Sequence, residues 1–222
     1  MKSIFLTVLT VPLLCHLTQG CCTPEQWRGD MGFLVGTNKN GKGGYEAGKV
    51  RLFYDAKNTK IAAFSEGVVD GKFFRGAMIQ NFEQGVQYVV LNGNCNTTRL
   101  AGKEFKPACV PRESKKLSDT HLGTSTDSLD VSAYEITLKK VRGNAYFTVT
   151  NELCVPIGET VTGGTEKGGF MATIGYTGVE PGIDDPRVFD KPRECRDKIE
   201  EGEIDLFEKF GRLNHKMSSL FR

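Results

Sequence analysis

The feature that most constrains the fold of this chain is an alternation of apolar and polar residues with a period of two. In the segment GGFMATIGYTGV, the residues Phe170, Ala172 and Ile174 alternate with Thr173 and Gly175. Such alternation is typical of a β-strand, because successive side chains point to opposite faces of a sheet. Further segments show the same pattern: 50–55, 61–66, 72–82, 86–93, 132–140 and 145–152.

These strands follow one another at short spacing, with no helical pattern between them, which predicts antiparallel sheets. The segments KFFRGAMIQNF (72–82) and VQYVVLNG (86–93) leave little room for a polar face. Two stacked or strongly curved sheets would cover strands that are apolar on both sides. The predicted fold class is therefore mainly β, with two stacked, curved antiparallel sheets and little helix. An incompletely filled gap between such sheets would be a hydrophobic pocket.

The first 20 residues have the pattern of a secretory signal peptide, with Lys2, an apolar run over 4–14 and Gly20 before the expected cut. The apolar run is too short to cross about 30 Å of hydrocarbon. A lipoprotein signal that ends at Cys21 is the other interpretation. Residues 21–222 are predicted to form one domain. Its tail, 196–222, has a loose helical pattern, so a helix and a frayed terminus both remain open.

Charge and motifs exclude several function classes. Removing Lys2 from the 29 basic side chains leaves 28 against 27 acidic ones, a balance that gives no sign of a nucleic-acid partner. The chain has no G-x-S-x-G or H-E-x-x-H motif, and the loop GTNKNGKG lacks the Ser or Thr of a phosphate-binding loop. We therefore expect a protein that is not an enzyme.

Six cysteines remain after the predicted cut, and an even number in an exported chain predicts disulfides. Six cysteines allow 15 connectivities, and spacing alone does not choose among them. Asn96-Thr97-Thr98 is an acceptor motif for N-glycosylation at Asn96.

Two stretches resemble the ependymin-related proteins. IDDPRVFDKPREC (183–195) is similar to the C-terminal signature of that family, in which Asp-Pro, Val-Phe, Pro and Cys occur in this order. CCTPEQWRG (21–29) is similar to its mature N-terminus. Cys95, after VQYVVLNGN, and Cys154, in NELCVP, also fall where the family places cysteines.

The resemblance implies a secreted or lysosomal glycoprotein that is usually a homodimer. It implies a fold like that of bacterial lipoprotein carriers, in which two curved sheets enclose a deep hydrophobic pocket. The disulfides that it implies are Cys21–Cys154 and Cys95–Cys195. A third disulfide of the vertebrate members has no counterpart here. Cys22 and Cys109 are additional, and we expect them to pair with each other, although Cys21 and Cys22 could exchange roles or crosslink a dimer.

The first functional hypothesis is a noncatalytic carrier or binder of hydrophobic ligands such as lipids. The candidate pocket residues are Phe74, Tyr88, Phe147, Phe170 and Ile174, although any one of them could simply fill a core. With ordinary pKa values, the net charge would rise from +1 to roughly +7 near pH 5, which favours binding to anionic membrane surfaces.

The second hypothesis is a Ca²⁺-binding glycoprotein of the extracellular matrix or of cell contacts. The family is associated with Ca²⁺, which needs clustered oxygen ligands. Asp184, Asp185 and Asp190 form the densest acidic group in a loop, and the alternative is that they cap the turn around Pro186.

Overall fold

The computed structural model describes residues 21–100, 104–165, 168–196 and 199. The predicted signal peptide (1–20) and nearly all of the predicted tail (196–222) lie outside the described residues. Within these ranges no helix is long and apolar enough to span a membrane. The strands are β1 (Gln26–Lys39), β2 (Lys42–Asp55), β3 (Lys60–Val69), β4 (Lys72–Asn81), β5 (Val86–Leu91), β6 (Asn94–Arg99), β7 (Lys115–Gly123), β8 (Ser128–Leu138), β9 (Gly143–Thr150), β10 (Pro156–Thr165) and β11 (Gly168–Pro181).

All eleven strands pair antiparallel in one large curved sheet, in the order β6-β5-β4-β3-β2-β1-β11-β10-β9-β8-β7. The prediction of a mainly β, curved antiparallel fold is thus confirmed. In hydrogen bonding the sheet is continuous rather than divided into two, because β1 pairs with β11 from Trp27↔Pro181 to Lys39↔Gly168. This pairing joins the run β1–β6 to the run β7–β11. The described helical structure is limited to two 3₁₀ turns, Lys139–Val141 and Pro186–Phe189.

One face of the sheet, which we call the core face, carries three of the four hydrophobic clusters described. On β1 it presents Trp27, Met31, Phe33 and Val35. On β11 the alternation is complete, since Ala172, Ile174 and Tyr176 are buried and Met171, Thr173, Gly175 and Thr177 are exposed. Phe33 borders all three clusters of this face and so connects them.

Two glycines that face each other bring β2 and β3 close together on the core face. Gly48 pairs with Gly67, and a Cβ on Gly67 would overlap the carbonyl oxygen of Ala47. The ring of Phe33 lies over Gly48 and that of Phe74 over Gly67, each 2.9 Å from the position of a Cβ atom. Glycine in a strand interior commonly marks such a close approach, and the aromatic rings fill the space that it leaves.

The opposite, outer face is covered in part by the stretch 182–195. Ile183, Val188 and Phe189 pack against the outer-face residues Ala62 and Ile79. The Asp185 side chain caps the 3₁₀ turn by accepting the backbone N–H of Arg187 (3.0 Å). Cys195 is bonded to Cys95 on the edge strand β6. The rigid sequence of this stretch therefore returns the chain across the back of the sheet.

Candidate functional site: a pocket on the core face

The connection between β6 and β7 closes one end of the core face, and we call its residues 104–111 the strap. Ala108 packs among Trp27, Tyr54 and Tyr176, and its backbone N–H donates to the hydroxyl of Tyr54 (2.9 Å). The ring of Phe105 lies 5.7 Å from that of Tyr54. The strap is thus held against the sheet by aromatic packing and by a buried hydrogen bond.

Two disulfides fix the strap and the N-terminal residues to the sheet. Cys22 is bonded to Cys109 of the strap, and Cys21 is bonded to Cys154 in the loop between β9 and β10. Two backbone hydrogen bonds also join the N-terminal residues to the strap: Thr23 N–H donates to Ala108 O (2.9 Å), and Val110 N–H donates to Cys21 O (2.7 Å). The structure contains the two disulfides that the resemblance implies, Cys21–Cys154 and Cys95–Cys195, and it pairs Cys22 with Cys109.

A pocket lies beneath the strap. Its volume is about 50 Å³, which at roughly 10–15 Å³ for one water accommodates about three to five non-hydrogen atoms. This is far less than the roughly 300 Å³ or more of a site for a drug-sized ligand, so the pocket would hold one end of a ligand. The residues that line it are Thr23, Ala108, Cys109, Val110, Pro111, Phe147, Val149, Cys154, Pro156 and Glu159.

Glu159 is the one charged side chain in this lining. It lies on β10, directly between Ile174 on β11 and Phe147 on β9, and is 8% exposed. The hydroxyl of Tyr176 donates a hydrogen bond to Glu159 Oε1 (3.1 Å). Glu159 Oε2 is buried and has no hydrogen-bond partner among the described residues. A buried polar atom of this kind is rare in native proteins.

The electrostatics of the pocket follow from this burial. Loss of solvation raises the pKa of Glu159 to about 7, although the hydrogen bond from Tyr176 acts in the opposite direction. Burial, together with the neighbouring Glu159 carboxylate, raises the pKa of Tyr176. Burial and the carboxylate of Asp70 also raise the pKa of Glu46, on the core face of β2, to about 7. The core face therefore carries two carboxyl groups that take up protons near neutral pH.

The five predicted pocket residues do not lie together in the structure. Phe147 lines the pocket, and Ile174 is buried beside Glu159 in the cluster below the strap. Phe170 and Phe74 are on the core face in other clusters. Tyr88 is on the outer face, where it packs near Ala62 and Ile79, because its register opposite Ile79 places it on the other side of the pleat.

Of the three predicted Ca²⁺ ligands, Asp184 and Asp185 are occupied by other contacts, and Asp190 is exposed. Asp184 forms an ion pair with Arg28, and Asp185 accepts the Nε–H of Arg187 (2.8 Å) in addition to capping its turn. Among the described residues no three His, Cys, Asp or Glu side chains are grouped so that they could hold a metal ion. Ca²⁺ binding stays a prediction. Asn96, the predicted glycosylation site, is partly exposed on the edge strand β6, and its modification also stays a prediction.

Comparison with known proteins identifies the family. Residues 70–195, more than half of the chain, match ependymin. The chain therefore belongs to the ependymin family. It is 26% identical over 188 residues to ependymin-related protein 2 of Haliotis asinina, which covers 81% of this chain and 90% of that protein. It is 25% identical over 182 residues to the ependymin of Notemigonus crysoleucas, covering 80% and 79% of the two chains.

Solved structures align more loosely with this chain. An uncharacterised conserved protein from Thermus thermophilus aligns with a TM-score of 0.47 and 9% identity, over 78% of this chain and 87% of that one. A putative outer membrane lipoprotein-sorting protein domain from Vibrio parahaemolyticus aligns with a TM-score of 0.34 and 6% identity, over 72% and 88%.

Sequence reasoning missed Glu159 and the strap. The signal for Glu159 is its position in the alternation of β10. In the segment GETVTGG it lies two residues before Val161, an inward-facing residue, and so shares its strand face. A charged residue at an inward position of a strand is the pattern that would have identified it. The strap had no such signal, since residues 104–111 show no periodicity.

Proposed function

We propose that this ependymin-family protein is a noncatalytic binder of hydrophobic ligands, lipids in particular, that acts outside the cell. Ependymin homologues are extracellular or secreted proteins, which supports export. Delivery to the lysosome stays a prediction. The observation that carries the proposal is the incomplete burial of apolar side chains on the core face. Those beside the pocket and beyond it remain partly exposed: Phe33, Ile136, Leu138, Phe147 and Phe170.

A folded protein normally buries inward-facing apolar side chains of this size, because each contributes about 1.5–3 kcal/mol when it leaves water. A hydrocarbon chain lying on these residues would complete their burial. The pocket under the strap would then hold the end of that chain, and the remainder would extend along β8, β9 and β10.

Native mass spectrometry of the secreted protein, followed by lipid analysis of its organic extract, tests this function. We expect stoichiometric lipid on the wild type and its loss in the Leu138→Lys variant, which places a charge on the core face. Leu34→Lys makes the same change on the outer face and should leave the lipid in place. A protein that carries no lipid and changes mass only with Ca²⁺ would refute the carrier function and favour the matrix hypothesis.

Homodimerisation belongs to the same proposal, and an exposed row on the outer face supports it. The outer apolar strip consists of Leu34, Tyr45, Ala47, Val68, Phe73 and Met171. Leu34, Ala47, Val68 and Phe73 lie side by side on β1 to β4, and Leu34 and Phe73 are 58% and 63% exposed. Contiguous apolar patches of this kind commonly mark protein interfaces. Sedimentation should therefore show a dimer for wild type and for Leu138→Lys, and a monomer for Leu34→Lys.

Stronger binding to anionic membranes in acid is the last part of the proposal. Glu46 and Glu159 lose their charge as the pH falls through about 7, which makes the protein more positive. We expect more binding to phosphatidylserine vesicles near pH 5 than near pH 7.5. Equal binding at the two pH values would contradict this expectation.

A further inference from the structure

The unpartnered oxygen of Glu159 requires a hydrogen-bond donor that the described chain does not supply. Oε1 of this carboxyl group is occupied by the hydroxyl of Tyr176, while Oε2 is buried without a partner among the described residues, and Glu159 lines the pocket. No ion pair joins Glu159 to any described lysine or arginine. Leaving a buried acceptor unsatisfied is costly, so a donor from outside the chain would be bound favourably at this position.

The walls of the pocket indicate what carries this donor. Apart from Glu159 and Thr23 the side chains of the walls are apolar or aromatic, with Phe147, Val149, Val110 and Pro156 among them. The hydroxyl of Thr23, the other polar side chain, already accepts the indole N–H of Trp27 (3.1 Å).

About three to five waters would fit by volume, but each needs two to four polar partners, and the described walls offer two polar side chains, Thr23 and Glu159. A group with one charged donor and a short hydrocarbon stem matches the pocket better. An ammonium forms a charge-assisted hydrogen bond with a carboxylate, which is about twice as strong as a neutral one. The aromatic ring of Phe147 in the wall is also compatible with a cation.

We propose that this pocket binds the ammonium end of an amphiphilic amine, with Glu159 Oε2 as the acceptor. The proposal rests on the proposed function, since the hydrocarbon chain of the amine would lie on the partly exposed core face. Phe147 lies directly opposite Glu159 on the neighbouring strand. Ala145 and Val161, the next inward-facing pair along β9 and β10, continue the apolar surface away from the pocket.

Three ligands with the same chain and different ends test the inference: decylamine, decanol and decanoate, each titrated by calorimetry near pH 8. We expect the amine to bind at least about tenfold more tightly than the alcohol, given the usual strength of a hydrogen bond to a charged group. Decanoate should bind most weakly, because its carboxylate would face that of Glu159. Glu159→Gln should reduce the affinity for the amine to that for the alcohol.

Glu46→Gln is the matched control, because it removes the other buried core-face carboxyl group and should keep the preference for the amine. Equal affinity of the wild type for amine and alcohol, or a preference that survives in Glu159→Gln, would overturn the inference. If alcohol and decanoate bind without any preference for the amine, the proposed function stands and the inference alone fails. If none of the three binds, both fail. The wild-type series needs no variant, so it decides even if Glu159→Gln does not fold.

Discussion

Replacing Glu159 by Gln should change how the stability of this protein depends on pH. In the folded state burial raises the pKa of Glu159 from its ordinary value of 4.5 to about 7. Between these two values the folded protein binds more protons than the unfolded chain, so the free energy of unfolding falls as the pH rises. The contribution of the protonated carboxyl group is complete below about pH 4.5 and is lost as the pH passes through about 7.

The size of the effect follows from the pKa values. A rise from 4.5 to about 7 corresponds to about 3 kcal/mol at roughly 1.4 kcal/mol for each pH unit. Most of it, about 2 kcal/mol, falls between pH 5 and pH 8. Glutamine does not titrate, so the variant lacks this dependence. Burying the amide N–H₂ of glutamine adds a cost that is the same at every pH. The quantity to measure is therefore how the difference in free energy of unfolding between the variant and wild type changes with pH.

Urea unfolding of wild type and Glu159→Gln, with disulfides intact, measures this quantity near pH 5 and near pH 8. We expect the free energy of unfolding of the variant, relative to that of wild type, to rise by about 2 kcal/mol from pH 5 to pH 8. Glu46 titrates in both proteins, so its contribution cancels in the difference between them. Glu66→Gln is the control, since ion pairing with Lys49 lowers the pKa of Glu66 and its difference from wild type should be the same at both pH values. A Glu159→Gln difference that does not change with pH would refute the assignment of a buried carboxyl group.

Two further predictions concern the packing of the sheet and of the stretch 182–195. Gly67→Ala should lower the free energy of unfolding by about 2 kcal/mol or more, because the new Cβ would overlap a backbone carbonyl oxygen. At Gly175 a new Cβ would meet nothing within 4 Å. Gly175→Ala should therefore change the free energy of unfolding by less than about 1 kcal/mol. A smaller effect at Gly67 than at Gly175 would contradict the close approach of β2 and β3. Replacing Cys95 and Cys195 together by Ala should lower the free energy of unfolding by up to about 5 kcal/mol, since the disulfide closes a loop of 100 residues. Limited proteolysis should cleave the stretch between residues 182 and 195 in this double variant. Equal resistance of the variant and wild type would argue against an anchoring role of the disulfide.

The sequence by itself determined most of the strands. The segment 168–179 was predicted from its alternation and is contained in β11, and 72–82 and 86–93 correspond closely to β4 and β5. This success has a local cause, because the period of two is a property of each strand separately. Four strands, β1, β6, β7 and β10, were not predicted. In β1 the residues Gly29, Gly32 and Gly36 interrupt the alternation, and β10 has a similar glycine-rich end.

Only the tertiary structure decided which strands are neighbours and which face is the core. The pairing of β1 with β11 joins residues about 130 to 150 positions apart, and no local pattern specifies it. The sequence suggested that Phe74 and Tyr88 share one pocket, but the register placed them on opposite faces of the sheet. Glu159 became a candidate binding residue through the same long-range contacts. Its burial depends on the strap, on Tyr176 and on the disulfides of Cys21 and Cys22, which come together only when the sheet has formed.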